Sequence, residues 1–444
     1  MSLWNHQQKC IEKLKDLPGG GIFMDMGSGK TATAIELIQV RGHKRILIAC
    51  PKTAVESVWC KQLAQYMREE CIVVPLVSEL TVAERASALY NSAVKYKGFK
   101  GSVIWVTNYH GLIQEPLKSL CLSLKLDCVI ADEGHILKSP GGSISRLFSR
   151  LGDKTPYRLE LTGTPMTNDP LDIYGQYRFL NKGVFGTNYG KFRDRYCTVN
   201  PYSWKKTFIN QDELRKQLYT IAYRVRTEDV IDLPPYVDIV RGYNLNEKAR
   251  EVYEELEREL IALLEDGTEI EAANRLVLSL RTQQITSGIA PGTDYYLDSG
   301  KMDMLQEVLS ELDKDEPVVI FCRFKVDIKT AKDVCENLGR TSCEISGNKN
   351  QLVEFHNGSK TSAIVQIQAG STAIDLSRAR YCIFVSTNWS YGDYEQARRR
   401  VLRPGQTRSV VYVHLIANNT VDGTIANALI SKKDLVEAIL DRKT

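Results

Sequence analysis

The sequence predicts an α/β fold with two parallel-sheet lobes and helical insertions between them. Short apolar runs alternate with helix-length segments in the first third of the chain, and the same rhythm returns after Lys301. Such alternation is typical of βαβ units on a buried parallel sheet. Between these regions, from about Leu171 to Leu280, charged helix formers predominate, which indicates helices.

The apolar runs give the expected strands and the expected domain limits. In the first region they are 21–24, 45–50, 103–106, 128–131 and 157–161, and in the second 318–321, 363–367, 381–385 and 410–413. In the middle, Val252, Leu256, Leu260 and Leu263 fit one helical face, and Pro234 with Pro235 interrupts any helix there. We therefore predict an N-terminal lobe over 1–170, insertions over 171–298 and a C-terminal lobe over 299–444.

Composition narrows the class of protein. The chain has 444 residues, a formal net charge of +4 and a pI of about 8.3, which is compatible with nucleic-acid binding. No apolar run is long enough to span a bilayer, and the start lacks the pattern of a signal peptide. The 11 cysteines are scattered without a C-x-x-C pair, which favours reduced thiols in a cytosolic protein over disulfides or a zinc site.

Segment 24–31, Met-Asp-Met-Gly-Ser-Gly-Lys-Thr, lies between an apolar run and a helical run. This is the context of a P-loop, in which glycines let backbone N–H groups wrap phosphates at a helix N-terminus. The strict pattern has glycine at the position of Met24, but the G-x-G-K-T core is intact. We expect Lys30 to reach the β- and γ-phosphates and the Thr31 hydroxyl to ligate Mg²⁺. The predicted phosphate-binding set is Gly27, Ser28, Gly29, Lys30 and Thr31.

Two carboxylates follow the apolar run 128–131. An acid at the end of such a strand faces the P-loop and can hold Mg²⁺, which is the role expected of Asp132. The neighbouring Glu133 is then placed to polarise the attacking water. Two acids at a strand end are often only a solvated turn, and it is their position downstream of a P-loop that favours the catalytic interpretation.

An arginine-rich segment, 395–406, lies in the second α/β region. Arg400 and Arg403 are three residues apart, so on a helix they share a face. Guanidinium groups stabilise the negative charge that develops on a transferring phosphoryl group. Arginines in this role, called arginine fingers, accelerate NTP hydrolysis by about 10³–10⁵-fold. The alternative is a solvated basic helix or a patch that binds only nucleic-acid backbone, to which Arg398 and Arg399 could belong.

Together these blocks resemble the superfamily-2 helicases, and most closely the Snf-type branch of double-stranded-DNA translocases and chromatin remodellers. The similarity extends from about Leu3 to about Lys433, and segment 161–168, Leu-Thr-Gly-Thr-Pro-Met-Thr-Asn, is its most branch-specific block. The resemblance implies two RecA-like lobes with the ATPase site in the cleft between them. It also implies that Arg400 and Arg403 act as trans-lobe fingers and that Thr162, Thr164 and Gln396 couple the nucleotide to lobe movement.

The resemblance also implies ligand contacts for residues whose chemistry alone does not assign them. In segment 3–7, similar to the branch's adenine-recognition motif, Gln7 reads the base edge and His6 stacks on it. Contacts with a nucleic-acid strand are implied in the first lobe by two segments. These are 50–53, with Trp59 downstream, and 106–109. In the second lobe they are implied by segments that resemble motifs IV, V and VI. The implied nucleic-acid contacts are Pro51, Lys52, Thr53, Thr107, Asn108, Tyr109, Arg323, Gly370, Ser371 and Trp389.

The sequence departs from the branch at three positions. Gly134 stands where the branch usually has alanine or serine, and Ala373 and Asp375 stand where it prefers glycine and asparagine. The insertions are short, and no segment resembles a chromodomain, bromodomain, RING or nuclease. We therefore expect a minimal monomeric motor of phage or prokaryotic type, cytoplasmic in a bacterium or an infected host and nuclear only if eukaryotic.

The expected function is ATP- and Mg²⁺-dependent movement along duplex or branched DNA, with contacts mainly to phosphates. Its outcomes would be remodelling, annealing or regression of DNA structures, or displacement of bound proteins. The nearest alternative is a strand-separating DNA or RNA helicase. A catalytically idle nucleic-acid-binding module would not need Lys30, Glu133 and the two arginines. A small-molecule P-loop kinase would need no second α/β lobe.

Overall fold

The computed structural model describes residues 3–200, 206–266, 271–293, 295–347, 349–368 and 374–441, with side chains for all of these except 260–266 and 271–276. The chain folds into two compact units. The first is Met1–Asp232 with Asp434–Thr444, and the second is Leu233–Lys433. The chain thus passes between the units directly before Pro234 and Pro235.

The first unit is built on a seven-stranded sheet in the order β3-β4-β2-β5-β6-β1-β9, in which every pairing is parallel. A short antiparallel pair, β7–β8, lies outside it. The strands are β1 (Gly19–Met24), β2 (Arg45–Cys50), β3 (Cys71–Leu76), β4 (Ser102–Asn108), β5 (Cys128–Asp132), β6 (Tyr157–Thr162), β7 (Cys197–Val199), β8 (Lys206–Phe208) and β9 (Ala222–Val225).

Helices connect these strands, as parallel pairing requires. They are α1 (Asn5–Leu14), α2 (Lys30–Val40), α3 (Lys61–Tyr66), α4 (Val82–Lys95), α5 (Tyr109–Leu112), α6 (Leu117–Ser123), α7 (Ser143–Lys154), α8 (Ile173–Leu180), α9 (Lys182–Phe185), α10 (Tyr189–Tyr196) and α11 (Gln211–Leu218). A π-helical turn, Val55–Cys60, precedes α3, and 3₁₀ turns occur at Gly134–Lys138, Pro170–Asp172 and Thr227–Asp229.

The second unit has a six-stranded parallel sheet in the order β10-β15-β14-β11-β13-β12. Its strands are β10 (Tyr236–Tyr243), β11 (Val318–Cys322), β12 (Ser342–Ile345), β13 (Ser362–Gln366), β14 (Tyr381–Phe384) and β15 (Val410–Ala417). Its helices are α12 (Glu247–Asp266), α13 (Glu271–Thr286), α14 (Gly300–Ser310), α15 (Lys325–Asn337), α16 (Leu352–His356), α17 (Tyr391–Arg398) and α18 (Val421–Leu440), whose last turns belong to the first unit.

The central strands form the core because both faces of each sheet are covered. All residues of β1 and β5 in the first sheet, and of β11 in the second, are buried. This explains why these strands are continuous apolar runs in the sequence rather than alternating ones. The predicted α/β class with two parallel-sheet lobes and helical insertions is confirmed.

The central region contains more strand than its composition indicates. Strand β9 pairs with β1 in the first sheet, and β10 pairs with β15 in the second. The long helices expected there are present as α12 and α13, although the side chains of Leu260 and Leu263 lie outside the described set. The predicted boundaries at 170 and 298 divide the chain more finely than its two compact units and stay a prediction.

Two further observations concern the chain as a whole. All 11 cysteines lie in the described part of the chain, and each is a free thiol. Among the described residues, no helix is both long and apolar enough to cross a membrane.

Candidate active site

Three predicted functional segments meet at one edge of the first sheet. The P-loop follows β1, the acidic turn 132–135 follows β5, and segment 162–168 follows β6, which lies between the other two strands. Because the strands are parallel, their carboxyl ends share one edge, which is where α/β proteins bind ligands. The fold therefore brings together residues far apart in the sequence.

The P-loop depends on glycine at two positions. Gly27 and Gly29 both have φ of +83°, in the left-handed region, which glycine adopts at no steric cost. Gly29 is also the N-cap of α2, and a Cβ atom there would lie 2.3 Å from Gln7 Nε2. The loop thus leads into the N-terminus of an 11-residue helix, whose dipole favours phosphate.

The two residues expected to bind adenine contact the P-loop backbone. The His6 Nε2 atom lies 2.8 Å from Ser28 O and must carry the proton, because a carbonyl oxygen only accepts. Gln7 Nε2 donates to Gly29 O at 3.2 Å, and Gln7 Oε1 accepts from Trp4 N at 2.8 Å. Both side chains are buried. Both side chains therefore hold the P-loop through its backbone carbonyl oxygens. Their contact with an adenine base stays a prediction.

The Asp132 carboxylate is buried beside the P-loop lysine. Its Oδ2 accepts from Trp59 Nε1 at 2.8 Å, and its Oδ1 accepts from Glu133 N at 3.0 Å. Burial, and then the charge of Glu133, raise the pKa of Asp132, whereas the Trp59 bond and the positive charge of Lys30 act in the opposite direction. An added divalent cation would stabilise the ionised carboxylate here, so this residue fits the expected Mg²⁺ ligand, with Thr31 as the other.

Glu133 adopts a backbone conformation that is uncommon for residues other than glycine. Its φ is +52° and ψ +47°, a left-handed conformation that costs on the order of 1 kcal/mol or more and is concentrated at functional sites. Its Oε2 lies 3.4 Å from His135 Nδ1, and the same His135 atom is 3.2 Å from Thr162 Oγ1. Thr162 Oγ1 also accepts from Thr164 N at 3.1 Å. The predicted coupling segment therefore contacts the acidic turn directly.

A buried ion pair behind the P-loop was not predicted. Asp25 is 1% exposed and pairs with Arg224 of β9 at 3.0 Å. Arg224 Nη1 also donates to Gly163 O at 3.0 Å, and Asp25 Oδ2 accepts from Thr227 N at 3.1 Å. This network joins the P-loop to the segment after β6. Asp25 lies in the P-loop segment 24–31. A charged residue directly after a buried strand is the sequence feature from which this ion pair could have been predicted.

The structure corrects the nucleic-acid contacts expected of Thr107 and Tyr109, and of Trp59 downstream of segment 50–53. Thr107 and Tyr109 are buried, and Tyr109 donates its hydroxyl proton to Asp132 O at 2.6 Å. Trp59 is fully buried on Asp132. Tyr109 and Trp59 therefore support the acidic turn, and Thr107 bonds to Leu76 O inside the first unit, so none of the three presents a surface to nucleic acid. The others lie at the carboxyl ends of β2 and β4, where Lys52 and Thr53 are exposed and Pro51 and Asn108 are half-buried.

In the second unit, Arg400 and Arg403 converge by a different route from the one predicted. Helix α17 ends at Arg398, so the two arginines lie in the turns beyond it and do not share a helical face. Both Nη1 atoms nevertheless reach one carbonyl oxygen, Ile374 O, at 3.3 and 3.4 Å. Arg403 also lies 3.6 Å from Asp375, so the aspartate that departs from the branch pattern contacts a predicted finger.

The remaining predicted residues of the second unit vary in exposure. Gln396 is buried, and Arg323 and Trp389 are half-buried. Arg323 donates its backbone N–H to Ser386 Oγ at 2.7 Å. Gly370 and Ser371 lie outside the described residues.

Arg398 belongs to the protein interior rather than to a solvated basic helix. Its guanidinium group forms a two-atom ion pair with Asp238 and lies 3.9 Å from the centre of the Tyr412 ring. Contact of a guanidinium group with the face of an aromatic ring is favourable. Arg398 is therefore a structural link between β10 and α17.

Comparison with known proteins agrees with this arrangement. Residues 6–288 match the model of the SNF2-related domain, and residues 300–405 match the helicase conserved C-terminal domain. The chain is 23% identical to protein p41 of Acyrthosiphon pisum secondary endosymbiont phage 1, over 98% of this chain and 97% of that protein. It is 25% identical to the DNA repair and recombination protein RAD54B of Gallus gallus, over 95% of this chain and 52% of that protein.

The fold has counterparts among solved structures. The helicase domain of Pyrococcus furiosus Hef superposes with a TM-score of 0.53 at 15% identity, over 95% of this chain and 97% of that one. Apart from the phage protein, the chain spans between 32% and 53% of the length of the curated relatives compared. Because the SNF2-related domain alone matches more than half of its residues, the chain belongs to the SNF2 family and is a nucleic-acid-dependent ATPase of helicase superfamily 2.

Proposed function

We propose that this protein is an ATP-driven motor that moves along duplex or branched DNA. The observation that carries the proposal is the joining of the P-loop, the acidic turn and segment 162–168 at one edge of the first sheet. In a SNF2-family chain with two α/β units, this arrangement supports coupling of ATP hydrolysis to movement. The outcome would be remodelling, annealing or regression of DNA structures, or displacement of bound proteins.

The nucleotide would be held by the P-loop and the N-terminus of α2. The backbone of Gly27, Ser28 and Gly29 binds the phosphates, Lys30 neutralises their charge, and Gln7 and His6 flank the base. The left-handed glycines and the raised pKa of Asp132 fit a site built for phosphate and a cation. A magnesium ion held by Thr31 and Asp132 would supply charge neutralisation at the phosphates.

Hydrolysis would require residues from both units. Glu133 orients and deprotonates the attacking water. Its left-handed backbone conformation ends the extended strand β5 at the preceding residue. Arg400 and Arg403 stabilise the charge that develops on the γ-phosphoryl group. Both guanidinium groups lie within hydrogen-bond distance of Ile374 O, so they are close enough to act on one phosphoryl group.

DNA would bind mainly through its phosphates. In the first unit Lys52, Thr53 and Asn108 lie at the carboxyl ends of β2 and β4. In the second, Arg323 and Trp389 follow β11 and β14, and Gly370 and Ser371 retain the roles implied by the family pattern. Phosphate contacts carry no sequence information. Binding should therefore be largely independent of sequence and sensitive to salt.

The choice of duplex DNA rests on the resemblance to the translocase branch. The name of the RAD54B relative, a DNA repair and recombination protein, agrees with DNA as the substrate. The phage source of protein p41 agrees with a phage or bacterial setting, and we propose that the protein acts as a monomer in the cytoplasm of a bacterium or an infected host.

Glu133→Gln should retain ATP binding and lose nucleic-acid-stimulated hydrolysis, because the amide keeps the shape of the side chain but cannot accept the proton. Binding of a fluorescent ATP analogue and release of phosphate measure the two properties. Glu69→Gln, an exposed acid before β3 at the opposite edge of the sheet, is the matched control. Hydrolysis by Glu133→Gln at the wild-type rate would show that the base is assigned incorrectly.

The substrate is tested by ATPase rates with single-stranded DNA, blunt duplex DNA, forked DNA and RNA at two salt concentrations. We expect blunt duplex or branched DNA to stimulate most, and high salt to reduce the stimulation at subsaturating DNA. Strongest stimulation by single strands would favour the strand-separating helicase instead. No hydrolysis with any nucleic acid would contradict the motor altogether.

The second unit also offers an exposed basic surface at the carboxyl edge of its sheet. Lys325 and Lys329 are exposed on the first turns of α15, which begins soon after β11 ends. They line a cavity with Gly347 and Gln366, which follow β12 and end β13. Lysines beside a helix N-terminus are suited to phosphate.

Lys325→Ala with Lys329→Ala should weaken DNA binding and flatten its salt dependence. Each lost phosphate contact lowers the slope of log K against log salt by about 0.9 for duplex DNA, so a decrease of about 1–2 is expected from fluorescence anisotropy titrations. Lys97→Ala with Lys100→Ala, exposed lysines before β4 at the amino edge of the first sheet, is the control. An unchanged slope in the first variant would exclude this surface.

A further inference from the structure

The carboxyl group of Glu160, on β6 of the first sheet, is buried without a hydrogen-bond partner among the described residues. The residue is 0% exposed, and neither carboxylate oxygen has a hydrogen-bond partner among the described residues. Burial raises the pKa of Glu160 well above its usual range. Burying such a group without a partner costs free energy. A contribution to stability therefore does not explain it.

The neighbouring strands leave room for this side chain. In the register of the sheet, Glu160 lies between Gly21 of β1 and Ala131 of β5, which contribute at most a methyl group on either side. The glycine that follows Glu133 completes the space. A Cβ atom on Gly134 would lie 2.2 Å from Glu160 Cγ and 2.6 Å from its Oε1. Real Cβ contacts do not come this close, so an alanine at 134 and the present Glu160 conformation exclude each other.

The fit with Gly134 explains a departure from the family pattern. The Snf-type branch usually carries alanine or serine at this position, and here the volume of that side chain is taken by Glu160. Gly134 and the buried Glu160 are therefore complementary in shape, although 26 positions separate them in the sequence.

Strand β6 holds the acidic turn at two points. Glu160 packs beneath Gly134, and Thr162, two residues later on the same strand, contacts His135. Glu133 lies directly before these two residues in its left-handed conformation. Any shift of β6 or of Gly134 would therefore change where the Glu133 carboxylate points.

We propose that Glu160 is a positioning residue for the ATPase reaction, and that its side chain fills the space under Gly134 so that the acidic turn holds Glu133 in place. The inference rests on the ATPase activity of the family and does not depend on which nucleic acid is the substrate. It predicts that residues 134 and 160 are coupled, so that a change at one is compensated by a change at the other.

The test compares Gly134→Ala, Glu160→Ala, the double variant and Glu160→Gln in the full chain. Gly134→Ala should lower kcat by about 10²-fold, because displacement of a catalytic group by about 1 Å has this effect, while KM for ATP stays near the wild-type value. Glu160→Gln keeps the volume and should retain kcat. The double variant should recover much of the rate that Gly134→Ala loses, because the smaller side chain at 160 makes room for the new methyl group.

Rates are measured well below each variant's unfolding midpoint, with the nucleic acid that stimulates the wild type most. Gly141→Ala, for which a Cβ atom meets nothing within 4 Å, is the control and should behave as wild type. A double variant no more active than Gly134→Ala, or a fully active Gly134→Ala, would overturn the proposal. So would rate losses that merely follow the loss of folded protein in thermal unfolding.

Two further readouts keep the outcome decisive. If Gly134→Ala does not fold, Glu160→Ala should lose kcat where Glu160→Gln keeps it, and equal rates for these two would overturn the proposal. Recovery of the unfolding midpoint in the double variant is measured without ATP. It tests the packing of 134 against 160 separately from the assignment of the chain as a DNA motor.

Discussion

The parallel pairing of β6 with β5 on one side and β1 on the other is the constraint on which the first unit depends. In this register Leu161 is the neighbour of both Ile22 and Asp132. The P-loop, the acidic turn and segment 162–168 therefore start at the same level of the sheet. Small shifts of β6 would reach both the phosphate-binding loop and the carboxylates, because the strand contacts both.

Polar groups fix this edge although they are buried. The Asp25–Arg224 pair, the bond from Trp59 to Asp132 and the bond from Tyr109 to Asp132 O are all inside the protein. Removing one member of a buried ion pair costs about 3–5 kcal/mol, because the other charge is left uncompensated. The network therefore holds the loops in one arrangement before nucleotide arrives, which lowers the reorganisation needed for catalysis.

Sites and strands formed by adjacent residues could be predicted from the sequence. The P-loop and the acidic turn are continuous segments, and central strands such as β2 and β11 are plain apolar runs. Strands β9 and β10 were not predicted, because they lie at the edges of their sheets. An edge strand is only partly covered, so its residues are less apolar. In β10, six of the eight residues are exposed. Composition therefore assigned both to a helical region.

Contacts between distant segments could not be predicted. Nothing in the sequence pairs Asp25 with Arg224 or Glu160 with Gly134, and Tyr109 was expected at a nucleic-acid surface because only the family pattern described it. The convergence of Arg400 and Arg403 was inferred from helical spacing, yet it arises from turns after α17. Single-sequence periodicity describes local structure, whereas these contacts are set by the sheet and by packing.

The proposed mechanism of ATP hydrolysis requires Arg400 and Arg403 of the second unit. Its most direct test is to measure ATP affinity and stimulated kcat for Arg400→Lys and Arg403→Lys, with the neighbouring Arg399→Lys as control. Lysine keeps the charge but not the planar fork. We predict unchanged ATP affinity with kcat reduced by about 10³-fold or more in both variants and wild-type behaviour in the control. Wild-type hydrolysis by folded Arg400→Lys and Arg403→Lys would contradict the proposed role of these arginines.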